Sequence, residues 1–264
     1  MAMNTLTDAH RIVVKVGTST LAYPNGRLNL RRVEGLVKVL SDLKNSGREI
    51  LLVTSAAIGV GAGQLGLKER PRDTGGKQAA AAVGQCELMY TYDKLFSEFG
   101  HQTAQVLLTR DVIEDQRRKR NVQNTLSRLM EFGVLPIINE NDTVAIEELE
   151  FGDNDTLSAI VAVLSEADLL VLMTDIDGLY TDNPRTNPDA RRIEVVEEIT
   201  DELTEAAKGA GSALGTGGMS TKLHAAAIAT EAGIPTVILS GERPENLYDL
   251  LDGASIGTLF TVKE

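Results

Sequence analysis

Short runs of aliphatic and β-branched residues recur along this chain, separated by Gly, Asn or Asp and by longer stretches with helical spacing. That rhythm constrains the fold more than any other feature. It is the signature of βαβ units around a mostly parallel sheet, in which each strand returns to its neighbour through a helix. Strands are expected at Arg11–Val16, Glu49–Thr54, Gln105–Leu108, Val134–Ile138, Leu169–Thr174, Thr236–Leu239 and Thr258–Val262. Leu30, Val33, Leu36, Val37, Leu40 and Leu43 recur at helical spacing, as do Leu126, Leu129 and Met130, and mark amphipathic crossover helices. The stretch Lys77–Phe99 reads as one long helix interrupted by Gly84, and VAIEELEFGDN after Thr143 reads as a small hairpin. With no internal repeat, Ser/Gly linker or break in composition, residues 1–264 are expected to form one α/β domain whose parallel sheet is covered by helices on both faces.

Composition narrows the function classes. The chain has 264 residues, with 26 Lys+Arg against 38 Asp+Glu, a net charge of −12. A general nucleic-acid binder is excluded, because phosphate backbones are held by clustered cations. A hydrophobic fraction of 42% on a chain of this length excludes disorder. One Cys, Cys86, and three scattered His supply neither a disulfide framework nor a Cys/His zinc site. The thiol, placed mid-helix, is expected to be buried. No leader-like apolar stretch opens the chain, and no run approaches the roughly 18 apolar residues of a membrane span, so a cytoplasmic location is expected.

Several motifs mislead. Gly61-Ala-Gly63-Gln-Leu-Gly66 has the GxGxxG spacing of a dinucleotide fingerprint, but residues intervene between it and the preceding strand, where that fingerprint must sit in the strand-to-helix turn itself. Arg117–Arg120 follows Glu114 and Asp115 and reads as a solvated helix end. Gly215–Lys222 looks like a Walker A loop, yet Thr221 and Leu223 flank the lysine where that motif has Gly and Ser/Thr.

Polar residues gather instead at the expected carboxyl edge of the sheet. Lys15 and Gly17 end the first strand; Thr54-Ser55-Ala56-Ala57 leads the second into a helix start, whose free N–H groups can hold an anion. Asn139-Glu140-Asn141-Asp142 and Gly152-Asp153-Asn154-Asp155 bring carboxamides and carboxylates, which serve as acceptors for amines and lysines. Thr174-Asp175 and the glycine-rich loop Thr216–Lys222 complete the set. A chain of net charge −12 that binds polyanions must build a local positive pocket, and Lys15, Lys222 and the loop amides would do so. Together these residues point to phosphoryl transfer, in which positioning and cations carry catalysis.

The motifs VVKVGTS, VTSAAI, INENDTV, FGDND, LLVLMTDIDGLY and GTGGMSTK, in this order from Arg11 to about Phe260, resemble the glutamate-phosphorylating branch of the amino-acid kinase family. The resemblance implies a three-layer αβα sandwich, ATP with Mg²⁺, and L-glutamate as acceptor at the first step of proline biosynthesis. It implies that Lys15 and Lys222 bracket the phosphoryl group while Asp155 holds both ammonium groups; on that assignment Asp155→Asn, which keeps the volume and the helix start, is expected to fold with a near-normal melting temperature and to lose most of its kcat. Ser55, Asp142 and Asn154 match substrate-binding positions. Lys15, Thr174, Asp175, Thr216, Gly217, Gly218, Met219, Ser220, Thr221 and Lys222 match the ATP site. The resemblance further suggests a homo-oligomer, feedback inhibition by proline and hand-off of the acyl phosphate to glutamate-5-semialdehyde dehydrogenase. Two departures stand out: the small RNA-binding-type PUA domain that follows in many members does not follow Lys263-Glu264, and Ala56 stands where the common form of that loop has Gly.

Overall fold

The computed structural model describes residues 4–145, 153–184, 186–207 and 218–262. Its strands are β1 Arg11–Val16, β2 Glu49–Val53, β3 Thr103–Leu108, β4 Leu135–Glu140, β5 Leu169–Thr174, β6 Leu179–Tyr180, β7 Arg192–Ile193, β8 Val195–Val196, β9 Thr236–Ser240 and β10 Thr258–Phe260. Its helices are α1 Asn4–Thr7, α2 Thr18–Leu21, α3 Leu30–Asn45, α4 Ala57–Gln64, α5 Thr74–Glu98, α6 Asp111–Glu114, α7 Gln116–Glu131, α8 Asn154–Ser165, α9 Asp201–Ala207, α10 Met219–Glu231 and α11 Asn246–Leu251. Eight strands form the central sheet in the order β3-β4-β2-β1-β5-β9-β10-β8, and β6 pairs with β7 in a separate ribbon. Every pairing in the large sheet is parallel except β9 with β10.

The order explains where a ligand can sit. From β1 the chain builds outward through β2 to β4 and β3, then returns to lay β5 on the other side of β1. Loops leaving β1 and β5 therefore diverge, opening a crevice beyond the carboxyl ends of the central strands.

Both faces of the sheet are covered, which is why the central strands read as continuous apolar runs. Successive side chains of β1 alternate between two cores. Ile12, Val14 and Val16 join α3, α4, α5 and α11 on one face. Val13 joins α7, α8 and α10 on the other. The three-layer αβα expectation holds.

Local departures have physical causes. Strand β4 begins and ends later than expected, because Asn139 and Glu140 continue the ladder opposite Leu107 and Leu108. The long helix α5 starts at Thr74, where the Asp73 carboxylate accepts the Gly76 N–H at 2.8 Å, and Gly84 does not break it. A Cβ on Gly84 would lie 1.8 Å from the Ala57 carbonyl oxygen, and one on Gly61 would lie 1.7 Å from that of Ala80. These glycines let α4 and α5 touch backbone to backbone, which accounts for part of the misleading GxGxxG spacing. Cys86 is exposed, contrary to expectation, since the buried stripe of α5 runs through Ala81, Gln85, Leu88, Tyr92 and Phe96. The expected hairpin after Thr143 falls largely outside the described residues. Among the described residues, no helix is long and apolar enough to cross a membrane.

Candidate active site

Parity along β1 decides where Lys15 points. It shares the face of Val13, so its side chain is directed toward α8 and α10 rather than toward α3. These two helices pack on each other and present their first turns at the same edge. Asp155 stands in the first turn of α8 and Lys222 in that of α10. Lys15 Nζ lies 2.6 Å from Asp155 Oδ1, and Lys222 Nζ lies 3.1 Å from Asp155 Oδ2. The Thr221 hydroxyl donates to the same Oδ2 at 2.8 Å. Asp155 is fully buried, and both lysines are only 5–6% exposed.

Burial by itself would raise the Asp155 pKa. The two ammonium groups and the Thr221 hydroxyl outweigh it and hold the carboxyl well below the usual carboxylate range. Asp155 is therefore an acceptor at neutral pH and not a proton donor. Two residues away, Asp153 caps α8 by accepting the Thr156 N–H at 2.8 Å. Burial, and to a smaller degree the charge of Asp155, push its pKa up.

Beside this triad opens a cavity of about 590 Å³. Lys15, Gly17, Ser55, Ala56, Asn139, Asp142, Asn154, Thr174, Asp175 and Lys222 line it, drawn from the ends of β1, β2, β4 and β5 and the starts of α8 and α10. Asn154 is held firmly: its amide nitrogen lies 2.8 Å from the Thr54 carbonyl, 3.0 Å from Ser55 Oγ and 3.0 Å from Asn139 Oδ1. The Thr174 hydroxyl donates to Asp175 Oδ1 at 3.1 Å. Ala56 turns the chain from β2 into α4 in a left-handed conformation, with φ 81° and ψ 1°. The backbone thus requires here what glycine supplies freely, and an L-residue accepts it at a cost of about 1–2 kcal/mol.

The expected site residues converge, with differences in detail. Asp155 lies beneath the cavity wall, reaching it through the lysines. Gly218 precedes α10 as its N-cap, Met219 packs into the core, and Thr221 bonds to Asp155, while Thr216 and Gly217 fall outside the described residues. Ser220 is half-buried in the first turn of α10. Sequence reasoning placed Asn139 in the polar loop at the sheet edge but gave it no role of its own, and it passed over Arg70, Arg72 and Lys77, exposed residues of the cavity lining. The charge density of Lys68–Arg72 was the available signal for the arginines. For Asn139 it was an amide ending an otherwise apolar strand.

Residues 10–240 match the model of the amino acid kinase family. The chain is 55% identical over 263 residues to the glutamate 5-kinase of Clostridium perfringens, covering 98% of each. It is 52% identical to that of Clostridium acetobutylicum, covering 98% of this chain and 97% of the relative. A 54% identical glutamate 5-kinase from Moorella thermoacetica is longer, and the match covers 98% of this chain but 68% of that one. Among solved structures, a carbamate kinase from Giardia lamblia bound to AMP-PNP superposes with a TM-score of 0.67 at 16% identity, covering 98% of this chain and all of the other. An isopentenyl phosphate kinase from T. acidophilum gives 0.64 at 18% identity, with 95% and 99% covered. At such identities these two structures speak for the fold alone.

Proposed function

The chain belongs to the amino acid kinase family, and from that membership we propose that it transfers the γ-phosphoryl group of ATP to the γ-carboxylate of L-glutamate, the first step toward proline. The observation that carries the chemistry is the buried Lys15–Asp155–Lys222 triad at the wall of the cavity. A carboxylate with a reference pKa near 4.3 is already ionised at neutral pH, so the acceptor needs no general base. What the reaction needs is to bring two anions together and to stabilise charge on the phosphoryl group in flight. Lys15 and Lys222 supply that charge. Asp155 fixes both ammonium groups before substrate arrives, so that little reorganisation remains for the transition state.

In the same cavity, Asp142 offers a carboxylate to the substrate ammonium, and Ser55 and Asn154 share the lining with it. The nucleotide takes the side of Thr174, Asp175 and the α10 start. Mg²⁺ fits as an ion delivered on ATP. Among the described residues no three acids or histidines gather as a metal site, while Asp153 and Asp175 line the cavity singly, as suits an ion that keeps waters and phosphate oxygens. Bound there, it neutralises phosphate charge.

Coupled ADP release, measured across glutamate, N-acetylglutamate, aspartate and UMP, tests the assignment. Glutamate is expected to give the highest kcat/KM by a wide margin. Faster turnover of any of the other three would overturn it.

A further inference from the structure

Helix α5 lies outside the cavity for most of its length, yet its buried stripe carries a polar residue, Gln85, among Ala81, Leu88 and Tyr92. Gln85 is 7% exposed and Asn139 is 1% exposed. The Asn139 amide nitrogen donates to Gln85 Oε1 at 2.8 Å. The Asn139 oxygen accepts from the backbone N–H of Glu140 at 2.9 Å and from Asn154 Nδ2 at 3.0 Å.

The direction of this chain is fixed at both ends by groups that cannot turn over. The Glu140 N–H only donates, so it must meet the oxygen of Asn139, and the nitrogen of Asn139 must then face Gln85. The Thr54 carbonyl only accepts, so it must meet the nitrogen of Asn154. Asn154 consequently spends both its N–H groups on the protein, and its oxygen accepts nothing from the described residues. Toward a ligand, Asn154 presents an acceptor.

We propose that Gln85 is a positioning residue for the amino-acid substrate: it anchors Asn139, and Asn139 anchors Asn154 with its oxygen turned to the cavity. Thr54 already selects which end of Asn154 points inward. Gln85 adds the constraint on the nitrogen of Asn139, since without it that side chain is held through its oxygen alone, by the adjoining Glu140 N–H and by Asn154. An amide fixed at one atom can swing about it, and Asn154 would then lose a partner of fixed position. Gln85 Nε2 is buried and has no partner among the described residues, so it is the oxygen of this side chain that matters here.

This inference rests on the glutamate reading only for the identity of the substrate. Gln85→Met keeps the length of the side chain and removes the acceptor. It is expected to raise KM for glutamate about five- to tenfold, with KM for ATP held within about twofold. Gln85→Glu restores an acceptor oxygen, because a carboxyl buried there stays protonated, and KM for glutamate is expected to return to near the parent value. An unchanged KM for glutamate in the Met variant would overturn the proposal. So would equal rises for both substrates, or failure of Gln85→Glu to rescue. A readout without substrate keeps this separate from the activity assignment: the side-chain amide protons of Asn139 should exchange slowly in the parent protein and much faster in Gln85→Met. Equal exchange would refute the anchoring even if the parent proved to act on a different amino acid.

Discussion

Two polar networks at the cavity are built from different physics. In one a carboxylate and two ammonium groups are buried in contact, an arrangement that charges enter only when each is paired. In the other, neutral amides of Asn154, Asn139 and Gln85 pass hydrogen bonds from one to the next, starting from the backbone of Thr54 and Glu140. The ionic network holds large energies in few atoms and suits a reaction in which charge moves. The amide network holds modest energies in a fixed direction and suits discrimination between substrates. Damage to the first should therefore appear in stability and kcat, and damage to the second in KM.

The largest expected effect breaks the ionic network at its centre. Asp155→Asn leaves two buried ammonium groups without their partner, and breaking a buried pair in this way costs about 3–5 kcal/mol. The sequence alone suggests near-normal folding for this variant, because Asn keeps the volume of Asp155 and the start of the helix. Burial of both lysines overturns that expectation. The folded pKa of Asp155 is depressed, so its contribution is fully present above the unfolded value of about 3.9 and is lost as pH falls through the lower folded value. Denaturant titrations should show a constant gap between parent and variant from about pH 5 upward, narrowing below about pH 4. A gap that widens in acid would contradict the assignment.

Next in size, Lys15→Ala and Lys222→Ala each remove one cation from the transition state, a loss of about 2.7–4 kcal/mol if it behaves like other positioned donors. Steady-state kinetics should show kcat falling about 10²–10³-fold, with a much smaller change in KM for glutamate. A pure KM effect would erase the distinction between the two networks.

Among the residues assigned to the substrate, Asp142→Ala should raise KM for glutamate about tenfold or more, by removing a charged hydrogen bond worth about 1.5–3 kcal/mol, and leave KM for ATP nearly unchanged. Parallel increases for both substrates would place Asp142 elsewhere. The smallest effect concerns the turn from β2 into α4 that lines the cavity. Ala56→Gly relieves the left-handed backbone but gives the unfolded chain more freedom, so a net stabilisation of no more than about 1 kcal/mol is expected in thermal unfolding. A destabilised Gly variant would show that Ala56 is not strained.

Legibility in the sequence divides along a similar line. The apolar runs of β1, β2 and β5 are strands buried on both faces beyond the first residue of β1 and β2, so the pattern that announces them is local. Two-residue pieces such as β6, β7 and β8 carry no such pattern, because their pairing is decided by distant chain. Lys15, Asp155 and Lys222 stood out through their motifs, and residue parity on β1 explains why they meet. Their mutual burial could not be read, since it depends on how α8 packs against α10. Gln85 was hidden inside an Ala-rich helix, where only the helical phase relative to Leu88 and Tyr92 marks it as facing inward. Cys86, one position on, was misjudged for the same reason.

The division between an ionic network that performs chemistry and an amide network that selects substrate is tested most directly by Asp155→Asn in single turnover, with saturating ATP and glutamate and the rate normalised to folded protein. Misplacing two cations by even about 1 Å costs around 10²-fold in rate. The phosphoryl-transfer rate of the folded variant is therefore predicted to fall at least that far while glutamate still binds. A folded variant that is less stable but transfers phosphate at the parental rate would show that Asp155 serves the packing of α8 and not the reaction.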